Sequence, residues 1–495
     1  MNLLVLTLVV PLVTAALGAL GGSRRSRDAV LLAGLGLTFG LSVALAATLL
    51  GGTTPTAFGD ALRVDALSAL VVVLCGFVSL LSGIYAVGYL RRNDARGLVT
   101  PRMRREFYGL IPAYVFALLF VAVSNNIGLM WVAVELTTLA SVFLVGFHNR
   151  DTSIEAAWKF LMLGSLGLGF ALLGTILIYA SGEGRLDETM AGLNWTHLMK
   201  AAPQFHPFTL RLGVVFALIG YGTKAGLAPM HTWKPDAYRE APSPAGVLMA
   251  VGMLNSAMYC LVRIHLISRA AIGPDFSSGL LLALGLLSVM VAVPFILLQW
   301  NLKRLLAYSS IEHAGIIAIG VGLGTPAGAF GAMLHMTYHS FAKPLAFFSA
   351  GTVAQLHRSS DLEVIGSGVL GRTPVSGSLL MLAAVMVTGS PPFGLFFSEM
   401  TILQAGFFGS HATEAALLLG ALVVLFCGFS YQIGKLVLGP QVADPLRPVD
   451  QESVDLSMVA NLAAASAAVV SAFYLPAPLL ALIKAAAVVV AGGVK

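Results

Sequence analysis

Apolar residues in this chain run in long unbroken blocks, and short polar or Gly- and Pro-bearing segments separate them. Fourteen blocks approach or exceed the ~20 residues a helix needs to cross a hydrocarbon core. They lie at 2–21, 29–50, 66–90, 108–124, 126–147, 156–181, 209–227, 241–269, 277–299, 303–323, 327–355, 376–406, 414–437 and 456–475. The pattern predicts an all-α polytopic membrane protein of about fourteen spans. The stretch 477–493 is apolar too, but Pro476, Pro478 and Lys484 punctuate it, so an interfacial helix or a loose tail is expected there. Block one lacks a basic segment ahead of its apolar core, so it reads as a retained span and not a cleaved leader.

The distribution of basic residues tests this segmentation. Loops after odd-numbered blocks hold eighteen Lys and Arg, and loops after even-numbered blocks hold five. A miscounted helix would scramble that alternation. By the positive-inside rule the odd loops face the cytoplasm of a prokaryotic plasma membrane, and both termini face the other side. Blocks seven and twelve are interrupted, by GTKAGLAPM (222–230) and TGSPPFGLFFSE (388–399). Paired broken helices point to an internal repeat with sites at the midplane. A fixed offset near 175 carries Lys224 onto Glu399, Glu135 (offset 177) onto Glu312, and Lys159 (offset 176) onto His335. Five spans per repeat make the two repeats inverted. The expected division is a three-helix segment over 1–107, a first repeat of spans 4–8 over 108–269, a second over 277–437 with spans 9–13, and span 14 with the tail over 438–495.

Composition narrows the class. With 57% hydrophobic and only 11% charged residues and a mean hydropathy of +0.87, a water-soluble enzyme is excluded. The net charge of +6 would suit nucleic-acid binding, but the loop arginines account for it without a nucleic-acid partner. Cys75, Cys260 and Cys427 stand alone in apolar runs, which argues against a disulfide framework or an iron–sulfur centre. The Gly-rich string GSLGLGFALLG (164–174) has no preceding strand and reads as close helix packing, not a nucleotide fingerprint. No cofactor is expected.

The candidate chemistry lies in ionisable residues at membrane depth, each costing at least ~2.5–3.5 kcal/mol. These are Glu135, Lys159, Lys224, Lys343 and Glu399, with Glu312, His313, His335 and His339 nearby. Snorkelling is open to Lys159, near the start of its block, but not to Glu135 in the middle of SNNIGLMWVAVELTTLASVFLVG. Two unit charges ~4 Å apart at an effective dielectric of ~20 interact by about 4 kcal/mol. Movement of Glu135 relative to Lys224 would therefore switch the lysine between holding and releasing a proton. His335, His339 and Lys343 recur at four-residue steps in HMTYHSFAK and share a helix face. A metal site is disfavoured, since no Cys or acid stands at ligand spacing. The readings left are a histidine proton relay and satisfied core histidines.

Four motifs then agree in order and spacing: GTKAGLAPMHTWKPDAYREAPSPAG (222–246), NLKRLLAYSSIEHAG (301–315), HSFAKPLAFFSAG (339–351) and SPPFGLFFSEMTIL (390–403). Over spans 4–13 the chain resembles the antiporter-like membrane subunits of respiratory complex I, multisubunit cation/proton antiporters and group 4 membrane-bound [NiFe] hydrogenases. HTWKPDAY, MWVAVELTTL and SSIEHAG look most like component F of hydrogenase-4. The resemblance implies a Glu135–Lys224 pair, Glu399 as an exit-side proton site and Lys343 on a central hydrophilic axis that Lys159, His335 and His339 would join. Many relatives carry a span-eight lysine where this chain has Asn255, so the relay would run through Lys343 and the histidines. Only about twenty residues follow block fourteen, so the chain is not expected to be the distal complex I subunit, which continues into a long lateral helix.

The leading expectation is a proton-translocating subunit of a membrane redox complex without a redox active site of its own. Its implied partners are other membrane subunits and, through them, soluble [NiFe] and Fe–S subunits, with H+ (or Na+) moved across the lipid bilayer. The alternative is a cation/proton antiporter or inorganic-carbon module without redox coupling. An enzyme with its own active site is disfavoured, because loops 91–107, 182–208, 357–375 and 438–455 hold no recognisable nucleophile–base–acid set.

Overall fold

Backbone polar groups in lipid must be satisfied within their own segment, so apolar blocks of this length become helices. The computed structural model describes residues 2–20, 22–186, 189–440 and 449–492; Arg447, one of the loop arginines counted above, falls outside them. Each of the fourteen blocks holds a helix. Among the described residues, eleven helices are long and apolar enough to cross a membrane, including Leu3–Leu20, Ala66–Ala95, Ile127–His148, Asp151–Ala180 and Ser243–Ile272. Pro207–Ala225 and Pro326–Leu356 fill blocks seven and eleven, and the shorter pair Pro374–Val387 and Gly394–Phe407 fills block twelve. Block eight carries a π-helical stretch at Leu248–Met253. Among the described residues the only sheet is a two-stranded hairpin, Thr56–Ala57 with Leu62–Arg63, which the sequence did not announce.

Both interruptions lie within the segments singled out by sequence. Pro207–Ala225 stops at Gly226, whose φ of +74° is the left-handed conformation that caps a helix, and the chain resumes helix at Lys234–Glu240. Pro374–Val387 is followed by Gly389 at φ +64° before Gly394–Phe407 begins. Residues 228–240, read above as connecting loop, are therefore partly the second half of a broken helix.

Packing supports two equivalent five-helix sets. Block four packs on five, five on six, six on seven, seven on eight, and eight returns to four. Blocks nine to thirteen repeat that order, with thirteen returning to nine. The helices of blocks five and ten start alike: Asn126 accepts from the Gly128 and Leu129 amides, and Asn301, 175 residues on, from those of Lys303 and Arg304. The correspondence of Lys224 with Glu399 does not hold. Lys224 precedes its break by two residues, whereas Glu399 follows Gly389 by ten, so the two are not equivalent positions.

Many odd-loop arginines meet acids on one face. Arg24 and Arg104 share Asp94, Arg92 reaches Asp455 at 2.9 Å, and Arg96 and Arg358 share Asp450. The last helix, Ala477–Val490, packs on Ala66–Ala95 and Pro326–Leu356, and Gly492 ends beside the Arg269 guanidinium of an even loop. That end lies on the even-loop side, and the segment is a packed helix and not a loose tail.

One buried charge was missed by sequence. Arg263 in block eight is buried, pairs with Asp65 at 2.6 Å and stacks on Trp195 with 3.9 Å from its guanidinium to the ring centroid. Asp65 also caps Ala66–Ala95 by accepting from the Ser68 amide at 2.9 Å. The pair ties block eight to block three. Removing one partner of such a pair leaves an uncompensated buried charge. Arg263→Ala is expected to cost about 3–5 kcal/mol, read as a lower thermal midpoint of the purified protein.

Candidate functional site

The candidate residues fall into two groups, one in each five-helix set. In the first, Glu135 lies two turns into Ile127–Val145, half-buried, with its Oε2 unpartnered. Lys224, the penultimate residue of Pro207–Ala225, is 1% exposed, and its Nζ has no hydrogen-bond partner and lies 4.8 Å from the Phe160 ring centroid. The two make no direct ion pair, but Glu135 is the acid whose charge acts on Lys224. A buried ammonium with no hydrogen bond is costly, so any shift of Glu135 bears directly on whether Lys224 carries its proton.

The second group is a continuous cluster. Lys343, fully buried on Pro326–Leu356, donates to Ser309 Oγ at 2.9 Å and to the Leu306 carbonyl at 3.4 Å. Glu312, three residues beyond Ser309 on the same helix, acts by its charge on both Lys343 and Glu399. His313 Nδ1 and His335 Nε2 share a hydrogen bond at 3.0 Å, and His335 Nδ1 meets Ser398 Oγ at 2.9 Å, next to Glu399. The His339 ring lies 5.1 Å from that of His313, with neither nitrogen bonded. From Lys343 through His339, His313 and His335 to Ser398 and Glu399, every side chain is buried.

His313, His335 and Glu399 present ligating atoms within 4.8 Å of one another and are the set that could take a metal ion. Their present bonds do something else. One nitrogen of each histidine is committed to the other, and Ser398 takes the second nitrogen of His335, an arrangement suited to passing a proton along.

Lys159 belongs to neither group. Its ammonium is about half exposed and bonds Glu155 at 2.6 Å and Asp236 at 3.3 Å, so the structure does not put it on the axis that the resemblance implied. Asp236 is shared with Arg304. Conversely, Lys234, counted above as a loop cation, is 0% exposed; its Nζ donates to the Ala225 carbonyl at 2.7 Å and approaches that of Ser310 at 3.5 Å. A signal was available, since Lys234 stands between Trp233 and Pro235 just past the interruption of block seven. Asn255 is buried between the sets and donates to Ser340 Oγ at 2.9 Å.

On the odd-loop face a cavity of about 760 Å³ leads inward. Arg96, Arg150, Arg239, Lys303 and Arg358 line it together with His148, Glu240 and Asp361. Lys303 is buried at its wall and donates to the Ala241 carbonyl at 2.9 Å.

Residues 124–425 match the family described as NADH:quinone oxidoreductase/Mrp antiporter, TM, and residues 57–97 match the complex I chain 5 N-terminus. The chain belongs to this antiporter-like family of membrane subunits. It is 35% identical over 367 residues to a hydrogenase-4 component F homolog of Methylacidiphilum infernorum, covering 74% of this chain and 77% of that one. It is 32% identical over 402 residues to NADH-quinone oxidoreductase subunit N of Desulforudis audaxviator, covering 77% and 76%. Among solved structures, a chain of Thermus thermophilus respiratory complex I superposes with a TM-score of 0.72 at 25% identity, over 95% of this chain and 96% of that one. A chain of an archaeal membrane-bound sulfane sulfur reductase has the same fold, with a TM-score of 0.84 at 24% identity over 98% and 96%.

The broken helix of block twelve also constrains the site. A Cβ on Gly389 would collide with the Glu399 carboxylate, and the positive φ adds strain. Gly389→Ala is expected to destabilise the protein by about 1–3 kcal/mol, measured as a lower thermal midpoint, whereas alanine at the exposed Gly420, where a Cβ meets nothing, should not.

Proposed function

We propose that this chain is the proton-translocating subunit of a membrane-bound redox assembly of hydrogenase-4 or complex I type, and that it moves protons between buried bases while partner subunits carry the electrons. The observation that carries the reading is the run of buried side chains Lys343–His339–His313–His335–Ser398–Glu399, with a separate acid–base element at Glu135 and Lys224 in the other five-helix set. A titratable residue within the membrane needs a reason, structural or functional, and here eight lie in two groups, one in each five-helix set.

In this scheme the cavity on the odd-loop face takes protons from the cytoplasm of a prokaryotic cell, and both termini face the opposite side. Glu135 sets the charge of Lys224, Glu312 sets that of Lys343, and Glu399 at the broken helix of block twelve releases the proton. The two five-helix sets act as inverted half-channels, one opening to each side. Lys159 holds Asp236 at the edge of the path without carrying a proton. The partners are further membrane subunits and, through them, soluble subunits bearing [NiFe] or Fe–S centres; names of the relatives supply the support. Cation/proton exchange without redox coupling is the competing reading, and the subunit composition of the native assembly separates the two.

In membrane vesicles containing the assembled complex, Glu135→Gln or Lys224→Ala should lower proton translocation by about tenfold or more while electron transfer and assembly persist. Glu399→Gln should do the same from the other end. Normal pumping in the Glu135 and Lys224 variants removes the ion-pair element from the mechanism.

A further inference from the structure

The residues assigned above leave a gap between the two groups, and one buried cation fills it. Lys234 begins the short helix Lys234–Glu240, whose opposite end, Glu240, lines the odd-face cavity. Seven residues of helix span only ~10 Å, so about two turns separate the cavity lining from buried Lys234. Between the two ends the Tyr238 ring lies 5.7 Å from Lys234 Nζ, with its hydroxyl buried and unbonded.

Lys234 also touches both sets. Through the Ala225 carbonyl it holds the end of the helix that carries Lys224. Through Ser310 it reaches the helix whose neighbouring residue, Ser309, is bonded to Lys343. Its charge acts on His231, His339 and Lys343, and among the described residues no acid is bonded to it. The break itself makes room: a Cβ on Gly226 would collide with the Lys234 side chain, as one on Gly389 would with Glu399. At each broken helix, then, a left-handed glycine opens a space filled by a titratable side chain from the second half.

Building on the function proposed above, we infer that Lys234 is itself a proton-carrying site, taking protons delivered from the odd-face cavity and passing them between the Glu135–Lys224 element and the Lys343–histidine chain. In each transfer the Lys234 ammonium loses one proton and becomes a neutral amine, and the acceptor nitrogen on the Lys343 side gains that proton. Like-charge repulsion couples the two sites: Lys234 and Lys343 oppose simultaneous charging, so a proton arriving on one favours departure from the other. Asn255, the amide buried between the sets, has no proton to exchange.

A purely structural role competes with this, since an ammonium near the last carbonyls of a helix also caps it. Arginine separates the roles, because it keeps charge and donors but does not deprotonate. The test measures proton translocation, electron transfer and subunit assembly of the native complex in membrane vesicles carrying Lys234→Arg or Lys234→Gln, beside Lys224→Ala. The expected result is an assembled complex that still transfers electrons but pumps about tenfold less or worse in both Lys234 variants. Should the glutamine variant fail to assemble, the arginine variant decides alone. Normal pumping with Lys234→Arg overturns the inference and leaves a helix cap. If Lys224→Ala pumps normally as well, the proposed function fails along with it.

Discussion

A charge that cannot reach water has to be compensated inside the fold, and in this protein that constraint sorts the buried ionisable residues into two kinds. Arg263 has its charge paired: one Nη meets a carboxylate at 2.6 Å and an aromatic ring lies against the guanidinium, so it locks helices together although its Nε and other Nη make no hydrogen bond. Lys224, His339 and the second nitrogen of His313 are left without hydrogen bonds. Under-compensated bases are poor structural elements and good proton carriers, because neither protonation state is strongly fixed by its surroundings. The rest of the architecture keeps such groups dry, close together and reachable from one face.

The broken helices provide the means. An intact helix keeps its backbone groups to itself and offers side chains only laterally. Ending a helix at Gly226 or Gly389 exposes terminal carbonyls and frees the second half to aim Lys234 or Glu399 into the opened space. The energetic cost of irregular backbone is tolerated at the first break because protein surrounds it, with Trp233, Tyr238 and Lys234 fully enclosed; at the second, Gly389 and Ser390 are buried while Pro391 and Pro392 are exposed.

Much of this was legible in the sequence because its causes are local. Apolar block length set the helices, Gly and Pro marked the breaks, and the rarity of charge inside the blocks pointed to Glu135, Lys224, Lys343 and Glu399. What was not legible depends on which way a side chain turns once helices pack. Lys159 looked buried by position but turns out to Glu155 and Asp236, while Lys234 looked like a loop residue but turns in. Arg263 escaped notice because its partner Asp65 lies 198 residues away. The offset between repeats aligned helix starts, as Asn126 and Asn301 show, yet it misaligned Lys224 with Glu399, because the two breaks fall at different depths in their halves.

The central claim is that protons travel along a single buried line through the second five-helix set. His339 offers the most direct test, since it lies between Lys343 and His313 and neither of its nitrogens is bonded, so its loss removes a proton site without removing a hydrogen bond. The measurement is the number of protons translocated per electron by the native assembly in vesicles carrying His339→Leu. A falling ratio at undiminished electron flux is what the account predicts, and an unchanged ratio in the assembled variant would contradict it.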